Sequence, residues 1–121
     1  MKLFRAKESE TLVREGYLAS YVADVNLTKE ASSLGFIVVR VAPGTSTSPH
    51  LHERLSEVFV ALSPLAITVN EEHVALEHGD VVVVEPGESH SFVTRGSEGV
   101  LLAVKAPNIN DDKISVNQQG V

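Results

Sequence analysis

Short hydrophobic runs separated by turn-forming residues dominate the chain from residue 17 onward. The run at residues 35–42 (GFIVVRVA) ends at Pro43-Gly44, and similar turn signals separate the other runs. These other runs are residues 17–25, 57–62, 65–69, 72–77, 81–84, 91–94 and 100–106. Short strands at even spacing are typical of an all-β sandwich or barrel. The pattern therefore predicts an all-β fold with little helix.

Two details sharpen this prediction. Asn70-Glu71 separates two runs, and because Asn tolerates a positive φ we expect a two-residue hairpin turn there. Residues 81–84 are valine at every position, which fits a strand covered on both faces.

The length of 121 residues predicts one domain, and the composition changes twice along it. Residues 1–25 read as an N-terminal arm, extended or helical in its first fifteen residues. Residues 26–106 hold the strands of the barrel. Residues 107–121 form a polar C-terminal tail, which we expect to be mobile or packed on the outside.

Composition and charge exclude several classes of function. The formal net charge of −6 argues against nucleic acid or an anionic membrane as the main partner. The absence of cysteine excludes disulfides, thiolate nucleophiles and cysteine-ligated metals. No apolar run approaches the roughly 20 residues of a membrane helix, so we expect a soluble cytoplasmic protein.

Histidine spacing supplies the first chemical signal. His50 and His52 lie two residues apart on an expected strand, so both rings project from one face and can reach one ion. A lone pair of this kind is as often structural as metal-binding. His90 can join them only in a fold that brings its strand alongside. His73 and His78 lie at turns, where we expect them to face solvent.

Two longer stretches place these histidines in a wider pattern. Residues 44–57 read GTSTSPHLHERLSE, and residues 79–94 read GDVVVVEPGESHSFVT. Together they resemble the two signature motifs of the cupin superfamily. The matching residues are Gly44, His50, His52, Glu57, Gly79, Gly87 and His90, and the departures are Pro64, Glu85 and Thr94. The departures leave the ligand positions intact.

The resemblance covers residues 35–106 and implies a single-domain jelly-roll β-barrel. It also implies one divalent metal ion held by His50, His52, Glu57 and His90. Three imidazoles and one carboxylate suit Fe, Mn, Ni or Zn and do not choose among them. An octahedral ion with four protein ligands keeps two positions for other ligands, which is compatible with catalysis.

The surroundings of the site follow from strand parity. If Glu57 and His90 point inward, Phe59 and Phe92 do too, and they either line a substrate pocket or belong to the core. Arg40 and Lys105 are expected on outward faces. Glu85 and Glu88 either contact the histidines or lie in solvent, and the sequence does not decide between these roles.

Two classes of function remain open for this site. The first is an enzyme acting on an unidentified small molecule, such as an oxygen-dependent dioxygenase, an isomerase or a lyase, all of which occur among cupins. The second is a non-catalytic module that binds a small molecule or a metal. We favour the enzyme and keep the module as the alternative.

The apolar content of the N-terminal arm leads us to predict a homodimer. Eight sizeable apolar or aromatic side chains lie in it: Leu3, Phe4, Leu12, Val13, Tyr17, Leu18, Tyr21 and Val22. Burying each large one is worth about 1.5–3 kcal/mol, so the arm must cover a surface. That surface is either its own barrel or a second subunit, and we favour exchange with a second subunit because two-fold dimers are the commonest oligomers.

Overall fold

The computed structural model describes residues 1–116 and confirms the all-β prediction. One turn of 3₁₀-helix covers Ala6–Glu8, and every other regular element within residues 1–116 is a strand. The strands are β1 Lys2–Phe4, β2 Glu10–Arg14, β3 Tyr17–Tyr21, β4 Gly35–Val41, β5 His50–His52, β6 Ser56–Ala61, β7 Leu65–Val69, β8 Glu72–Leu76, β9 Val81–Val84, β10 His90–Val93, β11 Gly99–Ala106 and β12 Lys113–Ser115. The predicted bounds of the barrel strands agree with these to within about one residue.

Two antiparallel five-stranded sheets form the jelly roll. The first has the order β1-β9-β6-β11-β4, and the second has the order β12-β5-β10-β7-β8. Side chains from both sheets make one core, including Phe59 and Leu101 from the first and Ile67 and Phe92 from the second. This core lies between the sheets, and its residues alternate along each strand because successive strand side chains point to opposite faces.

Local sequence signals account for the details of this fold. Asn70 and Glu71 adopt φ values of 46° and 72°, which confirms the two-residue hairpin turn between β7 and β8. All four valines of β9 are buried, as the unbroken apolar run predicted. β9 lies between β1 and β6, so it is an interior strand of its sheet.

The N-terminal segment divides into two parts. β1 pairs with β9 and joins the first sheet, and Arg5 and the Ala6 amide bond to the buried Asp80 carboxylate at 2.7 and 2.9 Å. β2 and β3 instead form a separate two-stranded hairpin. Its apolar side chains are largely exposed, with Val13 at 82% and Leu18 at 68%. The boundary of the arm at residue 25 stays a prediction.

As far as the structure describes it, the polar C-terminal segment adds the edge strand β12 to the second sheet. β12 pairs with β5 along its whole length, from Lys113 opposite His52 to Ser115 opposite His50. Residues 117–121 of the predicted tail lie outside the described residues. No helix within residues 1–116 has the length and apolar character of a membrane-spanning segment.

Candidate metal centre

The two sheets bring four side chains together at one point. His50 and His52 lie on β5 and His90 lies on β10, both in the second sheet, while Glu57 lies on β6 in the first. One potential ligand atom from each of the four falls within 4.8 Å of all the others. The turn at residues 53–55 reverses the chain between the sheets, so Glu57 faces the histidines despite its opposite parity to His52. His73 and His78 are exposed and lie outside this cluster.

The contacts within the cluster leave polar atoms without partners. Glu57 Oε1 lies 2.7 Å from His52 Nε2 and 3.2 Å from His90 Nε2. Glu57 Oε1 and His90 Nε2 are both buried, yet neither makes a hydrogen bond, because neutral rings that carry their proton on Nδ1 have none on Nε2 to donate to Glu57. Buried polar atoms are rarely left unsatisfied, because each costs roughly 1–3 kcal/mol. A divalent cation among these atoms would satisfy them, so the donor set fits a metal.

Hydrogen bonds to backbone carbonyls orient two of the imidazoles. His52 Nδ1 donates to the Asp112 carbonyl and His90 Nδ1 donates to the Glu88 carbonyl, each at 3.1 Å. A carbonyl only accepts, so the proton of each neutral ring lies on Nδ1. Each Nε2 then presents its lone pair to Glu57 and the centre of the cluster. Outer hydrogen bonds of this kind usually fix metal-binding histidines.

The cluster shifts the pKa values of its own members. Burial, together with the neighbouring His90, lowers the pKa of His50 to about 4. Burial alone would raise the pKa of Glu57, but His52 and His90 outweigh it and lower this pKa to about 2. Burial likewise opposes charge on His52, but Glu57 prevails and raises the pKa of His52. At neutral pH Glu57 is ionised and His50 is neutral, the states in which both bind cations.

Asp112 is a functional residue that sequence reasoning missed. Its buried carboxylate accepts hydrogen bonds from the Glu53, Arg54 and Leu55 amides at 3.2, 2.8 and 3.0 Å. These amides belong to the turn that aims Glu57, while the Asp112 carbonyl orients His52. The available signal was the Asp111-Asp112 pair in the polar tail, but no periodicity there linked it to residues 50–57.

A cavity of about 410 Å³ opens beside the four residues, which all lie in its lining. Phe59 and Phe92 line it as well, and their rings meet edge to face at a centroid distance of 5.1 Å. Both are also core residues, at 2% and 6% exposure. The inward parity predicted for them is thus confirmed, whereas a role in binding substrate stays a prediction.

Arg40 and Lys105, both expected on outward faces, point to opposite sides of the first sheet. Arg40 is exposed and meets Glu98 at 3.5 Å, as expected for an outward side chain. The expectation for Lys105 was wrong. Lys105 has the parity of Leu101 and Ala103, which are buried, so it faces inward, lines the cavity and lies opposite Glu57 in the sheet.

Glu85 and Glu88 hold neighbouring backbone rather than the imidazoles. Glu85 accepts from the Thr28 amide at 3.1 Å. Glu88 accepts from the Glu85 amide at 2.8 Å and from the N-terminal amine of Met1, and its backbone carbonyl orients His90. Their side chains therefore secure the loop that leads into β10.

Backbone geometry explains why the second motif tolerates its departures. Gly87 has a φ of 87°, and its amide donates to the His52 carbonyl at 2.7 Å, which ties the loop before β10 to β5. Thr94, in place of Asn, donates to the Ala42 carbonyl and accepts from the Thr45 amide. The start of the His90 strand is thus held by Gly87, which matches the motif, and its end is held by Thr94, which departs from it.

Comparison with protein families identifies this architecture. Residues 37–105, more than half of the chain, match the family model described as "Cupin domain". The chain is a cupin. No curated protein is similar enough in sequence to be counted as a relative.

Solved structures agree with the cupin fold. The cupin resembles a double-stranded β-helix protein from Klebsiella pneumoniae, with a TM-score of 0.64 and 20% identity over 76% of this chain and 82% of that one. It resembles a sugar phosphate isomerase of the cupin superfamily from Silicibacter pomeroyi, with a TM-score of 0.58 and 19% identity over 74% and 70%. A salicylate 1,2-dioxygenase from Pseudaminobacter salicylatoxidans has a TM-score of 0.57 and 25% identity, over 61% of this chain and 21% of that one.

Proposed function

We propose that this cupin binds one divalent metal ion through His50, His52, Glu57 and His90 and acts on a small molecule in the adjoining cavity. The observation that carries the proposal is the pair of partnerless buried atoms, Glu57 Oε1 and His90 Nε2, which lie 3.2 Å apart. Three neutral imidazoles, one carboxylate and a divalent ion give the centre a charge of about +1. Fe, Mn, Ni and Zn all suit this donor set.

The residues of the chain hold and shield the centre. Carbonyl contacts fix the His52 and His90 rings, so these rings need little reorganisation to bind an ion. Phe59 packs against His90 at a ring-centroid distance of 5.5 Å and helps to exclude water from that side. When bound, the metal would supply Lewis acidity, which polarises a substrate oxygen or activates a small co-substrate.

The class of reaction is the less constrained part of the proposal. Structural relatives include an isomerase and a dioxygenase, so the fold accommodates both chemistries. We propose an oxygen-dependent dioxygenase, an isomerase or a lyase. A non-catalytic binding module is the alternative.

Elemental analysis combined with turnover measurements tests both levels of the proposal. The protein is purified without chelator, its metal content is measured, and the chain is reloaded separately with Fe(II), Mn(II), Ni(II) and Zn(II). Sugar phosphates and aromatic acids are then offered under air and under nitrogen. About one metal per chain is expected, and protein that takes up no metal would overturn the proposal. Turnover that requires air indicates a dioxygenase, turnover under nitrogen an isomerase or lyase, and full loading without turnover the binding module.

We further propose that the protein is a homodimer in which the β2–β3 hairpin covers a second subunit. The hairpin exposes Val13 and Leu18, which lie directly opposite each other on one face. Edge strand β4 exposes Phe36 at 66% and Val38 at 57% on the outer face of the first sheet. In a two-fold symmetric dimer the hairpin of each subunit would pack on β4 of the other, so that both exposed apolar surfaces are covered in both subunits.

Light scattering of the intact chain tests the dimer. The double substitution Val13→Glu and Leu18→Glu should lower the mass from dimer to monomer at micromolar concentration, because buried carboxylates oppose association. Leu62→Glu, at an exposed position in the turn after β6, is the matched control and should leave the dimer intact. A monomeric wild-type chain would contradict the dimer, and a dimer that survives the double substitution would contradict the hairpin contact.

A further inference from the structure

Two lysines flank the candidate metal centre from opposite sheets. Lys105 on β11 lies in register with Glu57, and Lys113 on β12 lies in register with His52. Residues directly opposite in an antiparallel pair project from the same face of their sheet. Both lysines accordingly line the cavity together with the four candidate ligands. Lys105 is half-buried, and Lys113 lies at the exposed side.

The nearby acidic groups are already occupied by other partners. Glu57 faces His52 and His90, and the Asp112 carboxylate accepts from the amides of residues 53–55. Asp111 is 93% exposed and meets Arg54 at 3.5 Å. Among the described residues 1–116, neither Lys105 nor Lys113 donates a side-chain hydrogen bond or forms an ion pair within 4.0 Å. The two ammonium groups are therefore available to a ligand.

The remaining lining suggests what else that ligand carries. Ile37, Val39 and Ile109 supply apolar wall, while Thr47 and Asn110 supply hydrogen-bonding groups. The volume of about 410 Å³ is in the range of small-molecule sites. With a metal-centre charge of about +1, the lysines make the cavity locally positive in a chain of net charge −6. Such a local field concentrates anions.

We infer that the cavity takes a small organic anion, whose carboxylate or phosphate group is bound by Lys105 and Lys113 beside the metal centre. This inference rests on the proposed metal-binding function and names the substrate class of the same site. Lysine is a point charge that binds either group, so the shared chemistry is a compact anion on a small carbon skeleton. The register of the two lysines places the anion between β11 and β12, with the metal centre at its side.

Calorimetric titration of the metal-loaded protein tests the inference. The probes are acetate, succinate and benzoate for carboxylates, glycerol 3-phosphate for phosphate, and benzamide and glycerol as neutral counterparts. Lys105→Met and Lys113→Met remove the charge and keep the length of the side chain. Each should weaken anion binding roughly tenfold, the loss expected for one charge-assisted hydrogen bond. Lys29→Met, at an exposed position outside the cavity lining, is the matched control and should leave affinity unchanged.

The outcomes separate this inference from the proposed function. Weakening confined to the carboxylates or to the phosphate supports the inference and identifies the anion. Three results would overturn it: equal affinity in wild type and in a variant that carries both Lys105→Met and Lys113→Met, equal binding of anions and neutral probes, or no binding of any anion. Metal content measured on the same samples tests the metal centre independently. Thermal melting of each variant checks that it is folded, and Lys105→Arg should restore most of the affinity.

Discussion

The strands that carry the candidate ligands and the segment at residues 107–116 serve the same centre in different ways. The ligand strands supply the donor atoms at His50, His52, Glu57 and His90. The segment that follows the barrel supplies Asp112, which holds the turn before Glu57, and Lys113 at the mouth of the cavity. The residues that carry donor atoms are thus recognised by their short spacing within the two motifs. The orientation of their side chains, in contrast, depends on a residue about 60 positions away in the chain.

Removing a donor should have the largest effect on the centre. His50→Ala, His52→Ala and His90→Ala each delete one of four proposed bonds to the metal, so metal stoichiometry should fall from about one toward zero. Elemental analysis after gel filtration measures this. His73→Ala and His78→Ala are the controls, since both residues are exposed and outside the cluster. Equal metal loss from His73→Ala would show that the wrong histidines had been assigned.

Acid should release the metal through the same donors. Histidine must be neutral to bind, and its ordinary pKa is about 6.5, so protons compete with the ion as pH falls. His52, whose pKa is raised, takes up a proton first, whereas His50, with a pKa of about 4, competes only in stronger acid. Affinity should therefore fall by at least about tenfold per pH unit between pH 6.5 and 5, and more steeply below that. Equilibrium dialysis between pH 7.5 and 5 measures the loss. Metal affinity that stays constant down to pH 5 would contradict binding through His52.

Substitution of Asp112 tests what residues 107–116, called here the supporting segment, contribute to the metal centre. Asp112→Ala keeps the carbonyl that orients His52 but leaves the amides of residues 53–55 without their carboxylate. Loss of an outer-shell partner typically weakens metal affinity 10–100-fold, so we expect a loss of this size with all four donors intact. Competition with a fluorescent chelator measures the affinity. Asp111→Ala is the adjacent control. If both substitutions weaken metal affinity equally, the Asp112 carboxylate has no specific role in holding the turn before Glu57.

The sequence predicted the ligand strands well because their signals are local. Strand bounds, the hairpin at Asn70-Glu71 and the inward parity of Phe59 and Phe92 all follow from alternation and turn chemistry. Lys105 was misplaced because its charge was taken as a sign of an outward position, although the parity of Ala103 already pointed inward. The inner face of a cavity can be polar, so polarity alone does not identify the outer face of a strand there.

The supporting segment escaped prediction for a different reason. Its role depends on long-range pairing between β12 and β5, and residues 107–116 carry no periodicity that specifies this partner. Asp112 is buried by that pairing, not by an apolar surrounding sequence. Sequence patterns therefore identify the residues that carry donor atoms more readily than the residues that hold those side chains in place.

The smallest expected effect concerns His50 in metal-free protein. Burial lowers its folded pKa to about 4, so between pH 6.5 and 4 the unfolded chain binds a proton that the folded chain does not. Stability from this residue is present above pH 6.5 and is lost as pH falls toward 4. His52, whose pKa is raised, has the opposite sign and loses its contribution as pH rises. Because solvent screens the half-exposed His50 ring, we expect the loss to be about 1 kcal/mol.

Urea unfolding with chelator present, at pH 7 and pH 4.5, measures this contribution. Wild type should lose about 1 kcal/mol more than His50→Gln between the two pH values, because glutamine does not titrate. His73→Gln is the control and should follow wild type, since His73 is exposed. If His50→Gln shows the same pH dependence as wild type, burial of His50 does not oppose folding in acid.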